Sequence, residues 1–379
     1  MRRIYLNNAA TTWPKPPEVS RAVFDFMTEF GANAARGSAS ESDIKSLDVL
    51  FSVRMRIAEL FGGYEKADPR YVTLTANVTE SLNIVINGFL GAGMRVVTSS
   101  VEHNSVVRPL RRLEAQGLAV EVVKCDSNGS LPLDKFSEAL NERTDLAVIS
   151  HASNLCGTVQ PLEEIADICG KKGVPLVVDC AQTGGLVPID TAGLGLAALC
   201  FTGHKGLFGP QGTGGIVWNP KFAERCAPLL TGGTGSRSHE ETQPDLMPDK
   251  FEAGTPNLPG FAGLGAALEW LGETGVESVA ERESALGRRL EEGLSSIDGL
   301  QMYGGAPKRL PVYAFNVRGI DNGTLARMLS DRYGIEGRPG LHCTPWAHKT
   351  LGTFPEGAMR LSPGYFNTKE EIDFTVAAI

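Results

Sequence analysis

From about residue 70, short β-branched apolar runs alternate with amphipathic stretches. Tyr71-Val-Thr-Leu-Thr reads as a strand and residues 79–90 as a helix. Arg95-Val-Val-Thr-Ser and residues 105–116 repeat the pair, as do Val120-Glu-Val-Val-Lys and residues 133–140. Leu146-Ala-Val-Ile-Ser, residues 162–172 and Leu176-Val-Val-Asp continue the alternation. Strands this uniformly apolar are buried on both faces, so the pattern predicts an α/β fold with a mostly parallel sheet covered by helices. Ligands of such sheets bind beyond the carboxyl ends of the strands, where Asp179, His151 and His103 all fall.

A Gly/Pro-rich stretch, Gly254-Thr-Pro-Asn-Leu-Pro-Gly260, closes this region. A long helical pattern over about 261–294, a strand near 312–317 and helical stretches near 325 and 370 follow, which reads as a smaller α/β lobe. The expected division is an N-terminal segment 1–15 packing with the small domain, a large domain 16–258, and a small C-terminal domain 259–379 carrying Cys343 and Arg360. Residues 374–379 look like a helix cut short, without a stop signal. No internal repeat or low-complexity tract is present.

Bulk properties narrow the class. A chain of 379 residues exceeds one small core and fits two lobes. No apolar run reaches the roughly 20 residues of a membrane-spanning helix, and Met-Arg-Arg-Ile-Tyr-Leu-Asn-Asn turns polar too early for a signal peptide. The net charge of −8, with no basic tract, argues against nucleic acid. The seven cysteines are scattered and mostly sit among apolar residues, as reduced core thiols do. A cytoplasmic enzyme is expected.

The chemistry concentrates between Val178 and Lys205. Asp179 ends an apolar run, and Lys205 follows 26 positions later within Thr202-Gly-His204-Lys205-Gly. A buried acid keeps a pyridine nitrogen protonated, so the ring acts as an electron sink, and a lysine amine forms a Schiff base; that pair of demands is pyridoxal phosphate's. Taken singly, Asp179 also reads as a structural strand end and Lys205 as a surface lysine. A further candidate is Cys343, in Gly340-Leu-His-Cys-Thr-Pro345, where a Pro-Gly turn and a proline can present a thiol outward. His342, Cys343 and His348 lie close enough to suggest a metal site, but no matching pair occurs elsewhere, and no metal is expected.

Leu6-Asn-Asn-Ala-Ala-Thr-Thr12, Asn77-Val-Thr79-Glu80, Glu102-His103-Asn104-Ser105, His151-Ala-Ser-Asn154, Asp179-Cys-Ala-Gln182, Thr202-Gly-His204-Lys205, Gly254-Thr255-Pro-Asn257, Arg338-Pro-Gly-Leu-His-Cys343 and Arg360-Leu-Ser span nearly the whole chain. Through them the chain resembles a fold-type I pyridoxal phosphate enzyme of the class V aminotransferase superfamily. Within it, the likeness is to cysteine desulfurases and selenocysteine lyases with a short catalytic loop.

The resemblance implies a role for each position. Lys205 would bind the cofactor and shuttle the Cα proton. Thr202, His204, Thr79, Val78 and the backbone at Asn77 would hold its phosphate, His103 would stack on its ring, and Asp179 would pair with its nitrogen. Gln182 would reach the phenolate oxygen and Asn154 the substrate or the ring edge, although either amide also reads as a loop pin. Asn8 and Ala10 would line the substrate, Arg360 would grip its carboxylate, and Arg338 would shape the Cys343 loop or a partner-facing edge. Thr255 would contact the cofactor of a second subunit in a homodimer.

Cys343 would attack the sulfur of L-cysteine, leaving alanine and a persulfide destined for a sulfur-acceptor protein or small thiol in iron–sulfur cluster or thiocofactor assembly. His342 or His103 would favour its thiolate. Selenocysteine lyase is the near alternative. A sulfur-relay or scaffold protein with little activity of its own is the distant one, and an aminotransferase would leave Cys343 without a task. Asn7, where the family usually has aspartate, Thr344 and Pro345 after the cysteine, Trp346 and His348 depart from the pattern.

Overall fold

The computed structural model describes residues 3–34 and 40–379; residues 1 and 2 of the expected N-terminal segment lie outside them. Seven strands form the central sheet, in the spatial order Val72–Thr75, Gly214–Trp218, Ala198–Thr202, Leu176–Asp179, Leu146–Ser150, Arg95–Ser99, Ala119–Val123. Gly214–Trp218 pairs antiparallel with both its neighbours and the other described pairings are parallel, so the sheet is mostly parallel, as the apolar runs predict. The five strands nearest the centre are almost wholly buried, whereas the edge strand Ala119–Val123 alternates exposed and covered positions. Helices on both faces exclude water from Val, Ile and Leu side chains worth about 1.5–3 kcal/mol each when fully buried.

Parallel register aligns the functional ends. Ser150 stands opposite Asp179, and Asp179 opposite Cys200. The chain leaving each strand therefore delivers His151, Asp179 and the Thr202–Lys205 stretch to one edge. Gly185 makes the lysine loop's packing possible: its φ is 84°, and a Cβ there would meet the Gly206 carbonyl at 2.2 Å.

Two features differ from the pattern reading. The stretch expected as one helix over about 261–294 is two, Leu258–Thr274 and Val276–Ser295. Gly275 separates them at φ 87°, a value open to glycine and costly for other residues. The first helix packs against Pro17–Asp25 and Glu41–Leu60 and shares the apolar core of the large lobe through Phe261, Leu264 and Leu271. The second sends Leu286, Leu290 and Leu294 into a separate core with Phe315 and Ile372. The core thus changes near Gly275, beyond the division expected at 258/259.

The smaller lobe carries the antiparallel strands Leu300–Tyr303, Tyr313–Val317 and Met359–Leu361. The start of the chain joins it: Ile4–Tyr5 pairs with Ile335–Glu336, and Ile4 and Leu6 enter its core. A chain start fastened to the far lobe carries Asn7 and Asn8 into the cleft.

Candidate active site

Asp179 lies at the floor of the cleft, 5% exposed, with Oδ1 accepting the Ala181 N–H (2.9 Å). Burial raises its pKa, offset in part by the backbone bond and by Lys205. No ion pair neutralises it among the described residues. Lys205 faces it with an amine that makes no hydrogen bond or ion pair there, and burial pushes that amine down to about 8. The lysine loop is held by the chain start: Thr12 Oγ1 donates to Lys205 O (2.6 Å), and Lys15 Nζ to His204 O (2.8 Å).

The Val78–Phe89 helix begins at this edge. Its cap is Asn77, whose Oδ1 accepts the Glu80 N–H (3.0 Å). Thr79 is left exposed. The first-turn N–H groups of Val78 and Thr79 lie outside the helix's own bonding and form the positive end of its dipole, a setting for an anion. His204 presents a buried Nδ1 with no partner. Thr202 is more enclosed, its hydroxyl directed at Thr213 O (3.5 Å).

His103 caps the next helix, Asn104–Glu114: its Nδ1 accepts the Ser105 N–H (3.1 Å). Burial, then Lys205 and three arginines, push it down to about 4, so the ring is neutral. Beneath it Glu102, wholly buried, accepts from Ser99 Oγ, Ser150 N and Ser150 Oγ, which staples two strand ends together. Burial pushes this carboxyl up to about 7. Gln182 donates to Ala9 O (3.0 Å), using one of its two amide hydrogens on the chain start.

Arg360 is 1% exposed, and among the described residues no carboxylate forms an ion pair with it. Nη1 donates to Asn154 O (2.8 Å) and Nη2 to Asn7 Oδ1 (2.9 Å), while Nε has no partner. Burial pushes it down to about 9, still protonated at neutral pH. An unpaired buried cation of this kind is costly until an anion arrives. Asn7, not singled out as a site residue, is thus the side chain that steers Arg360; its place in the opening motif was the available signal. Asn8, expected at the substrate, lines a cavity with Lys205 and Gln182 and is also tied to the framework. Its Oδ1 accepts Trp13 N–H (3.1 Å) and its Nδ2 donates to Ser362 O (3.1 Å). Ala10, half-exposed beside it, gives its N–H to Asn7 O (3.0 Å).

Cys343 is exposed and the other six cysteines are buried. His342 and Cys343 both adopt left-handed backbone conformations, φ 52° and 58°, at roughly 1–2 kcal/mol each for such residues. Contacts from the large lobe hold this turn: Asn154 Nδ2 donates to His342 O (2.8 Å), Asn104 N–H to Cys343 O (2.8 Å), and Thr344 Oγ1 to Glu102 O (3.0 Å). Asn154 is therefore both a loop pin and a ledge for Arg360.

Behind the turn, the Arg338 carbonyl can only accept, so His342 Nε2 donates to it (2.9 Å). His342 Nδ1 then accepts from His348 Nε2 (3.3 Å), and His348 Nδ1 from the Thr353 hydroxyl (2.7 Å). All four ring nitrogens are used, which leaves no lone pair for a metal. Burial pushes His342 down to about 2. Burial lowers the pKa of both His342 and His103, the two histidines expected to favour the thiolate, and the cation beside the sulfur is Arg338, Nη2 to Sγ 3.8 Å.

The model of the aminotransferase class-V family matches residues 4–374. The chain belongs to this family. A probable cysteine desulfurase of Methanothermobacter thermautotrophicus is 34% identical over 373 residues, 97% of this chain and 92% of that protein. Among solved structures, the apo cysteine desulfurase of Thermococcus onnurineus NA1 superposes with a TM-score of 0.91 at 30% identity, covering 99% of this chain and 93% of that one. The cysteine desulfurase CsdA of Escherichia coli gives 0.87 at 26% identity, with 99% and 93% covered.

This class-V family member is a fold-type I enzyme that uses pyridoxal 5′-phosphate, and its cleft fits the group. A buried acid without an ion pair would suit the ring nitrogen, an unbonded buried amine the aldehyde, and a free helix start the phosphate. Capture needs the neutral amine, so its rate with cofactor-free protein is expected to rise about tenfold per pH unit below about 8 and level off above it. Absorbance on mixing with the cofactor measures this; a flat rate from pH 6 to 9 would contradict the amine's depressed pKa.

Proposed function

We propose that this cysteine desulfurase transfers the sulfur of L-cysteine to Cys343, leaving L-alanine. The supporting observation is an exposed thiol, held in a strained turn beside Arg338, at the mouth of a cleft whose depth holds Lys205, Asp179 and Arg360. Bound pyridoxal phosphate supplies an electron sink for charge developing at the substrate Cα. Arg360 grips the substrate carboxylate with the capacity that Asn7 and Asn154 leave it. Lys205 takes the Cα proton and later delivers one. Asp179 would hold the pyridine nitrogen protonated, Gln182 and Asn154 would edge the ring, and neutral His103 would lie against it. Cys343 sulfur then attacks the substrate sulfur: the Cβ–S bond breaks, an S–S bond forms, and Cβ gains a proton. Cysteine and the thiol become alanine and a persulfide, with no outside oxidant.

Alanine formation from L-cysteine under excess thiol reductant tests the reading; no alanine from cofactor-loaded enzyme would overturn it. Arg360→Gln is expected to lower kcat/KM by about 10²–10³, chiefly through KM, because a buried ion pair to the substrate is lost. Initial rates across cysteine concentration separate the two parameters, and an unchanged KM would remove Arg360 from the carboxylate site.

The site is proposed to be completed by a second copy of the chain. Thr255 is exposed and lines an open cavity of about 630 Å³ together with Gly212, Ala76 and Glu80, beside the free helix start. Selenocysteine is a proposed second substrate, and the sulfur is proposed to pass to an acceptor protein or small thiol. No described helix is long and apolar enough to cross a membrane, and a cytoplasmic site of action is proposed.

A further inference from the structure

The surface around Cys343 has a charge pattern that the reaction itself does not require. Three segments meet there. The Asn104–Glu114 helix starts against the thiol turn through the Asn104–Cys343 bond. The Pro345–Leu351 helix leaves the same turn two residues on, and Thr350 Oγ1 pins it to Ser100 O (3.0 Å). Ser100 Oγ in turn accepts the Cys125 N–H (2.9 Å), which ties in the end of the Ala119–Val123 strand.

Between them lies an open groove of about 340 Å³, lined by Arg111, Lys124, Trp346 and Lys349 among others. Its three cations are exposed, and Arg111 lies over the half-buried Trp346 ring at 4.9 Å. Exposed Arg108, one turn nearer the thiol, and Arg338 continue the row to the sulfur. Glu114, on the same helix, is already bonded to Arg111. A chain of net charge −8 thus lines the approach to its exposed sulfur with cations.

Resting on the desulfurase reading above, we propose that this groove docks an acidic, cysteine-bearing segment of a sulfur-acceptor protein. Clustered charge of one sign speeds encounter with a complementary partner, and a partly covered Trp offers an aromatic anchor of the kind that dominates interfaces. A small thiol would need neither. In the transfer, the acceptor thiolate attacks the outer sulfur of the Cys343 persulfide. The S–S bond to Cys343 breaks, one to the acceptor forms, and Cys343 leaves as thiolate, so the sulfur changes owner with no net oxidation.

The test loads holoenzyme with L-cysteine and offers three short peptides, each with one Cys flanked by Glu, Ser or Lys. Each transfer rate is normalised to that peptide's reaction with a small persulfide. At low salt the Glu peptide is expected to react about tenfold faster than the Ser peptide, with the Lys peptide slowest, and the spread to collapse near roughly 0.5 M salt. The double variant Lys124→Glu/Lys349→Glu should reverse the order, and Lys124→Gln/Lys349→Gln should flatten it. Both should still form alanine with a small reductant, since neither residue touches the reaction. If the Glu variant fails to fold, the Gln variant decides. Equal rates for the three peptides, or an order that neither variant changes, would overturn the groove. Failure of unaltered enzyme to make alanine would instead overturn the desulfurase reading.

Discussion

Cys343→Ala is expected to end alanine formation from L-cysteine, a loss of roughly 10³-fold or more, as when other enzymes lose their covalent nucleophile. No other thiol can take over. Cys125, Cys169 and Cys226 are buried and pushed up to about 12, and Cys180 and Cys200, both wholly buried, are raised further by burial and by Asp179. Cys156 is buried and spends its sulfur on Thr158 (3.2 Å). Cofactor absorbance should survive, because Cys343 stands at the mouth while Lys205 and Asp179 lie deeper. Selenocysteine supplies the discriminating arm. Selenium departs without a thiolate to receive it, so a variant that still releases alanine from selenocysteine while failing on cysteine marks the second substrate as genuine. A variant that keeps wild-type rates on cysteine would remove Cys343 from the mechanism.

Lys205→Ala should cost about 10⁴-fold in turnover or more, since one side chain both fixes the cofactor and moves the Cα proton. Lys15, a candidate to substitute, is already bonded to His204 O and serves as a strut for the loop. Its amine is pushed down to about 7 by burial, so it is partly neutral at physiological pH, yet it is tethered to a carbonyl. Partial recovery with added methylamine would show that the missing function is an amine's; wild-type turnover without it would refute the assignment. Circular dichroism should be unchanged, because Lys205 Nζ holds no protein partner.

Much of the fold was legible because its signals are local. The runs 146–150 and 176–179 coincide with strands, and most predicted helices match to within a residue or two, since buried parallel strands and amphipathic helices each need a distinct spacing of apolar positions. Gly275 was overlooked for a local reason as well: both helices it separates are rich in apolar and charged helix formers, and only its positive φ breaks them. The change of core at that glycine, by contrast, depends on which distant helices each half meets.

The sequence by itself determined the large-lobe sheet and the candidacy of Asp179, Lys205, Cys343 and Arg360, because chemistry of this kind requires those residue types whatever surrounds them. Only the tertiary structure decided how they are held and charged. Asn7 was a tolerated departure until the N-terminal segment crossed to the small lobe and set its amide on Arg360. Asn8, its neighbour, turned the other way into Ser362 and Trp13. His342 and His103 were both candidates to favour the thiolate; burial lowers the pKa of each, and the cation that stands beside the sulfur is Arg338. The physical reason is common to all of these. Desolvation, and the orientation of a hydrogen-bonding group, are set by residues hundreds of positions away, and no periodicity along the chain records them.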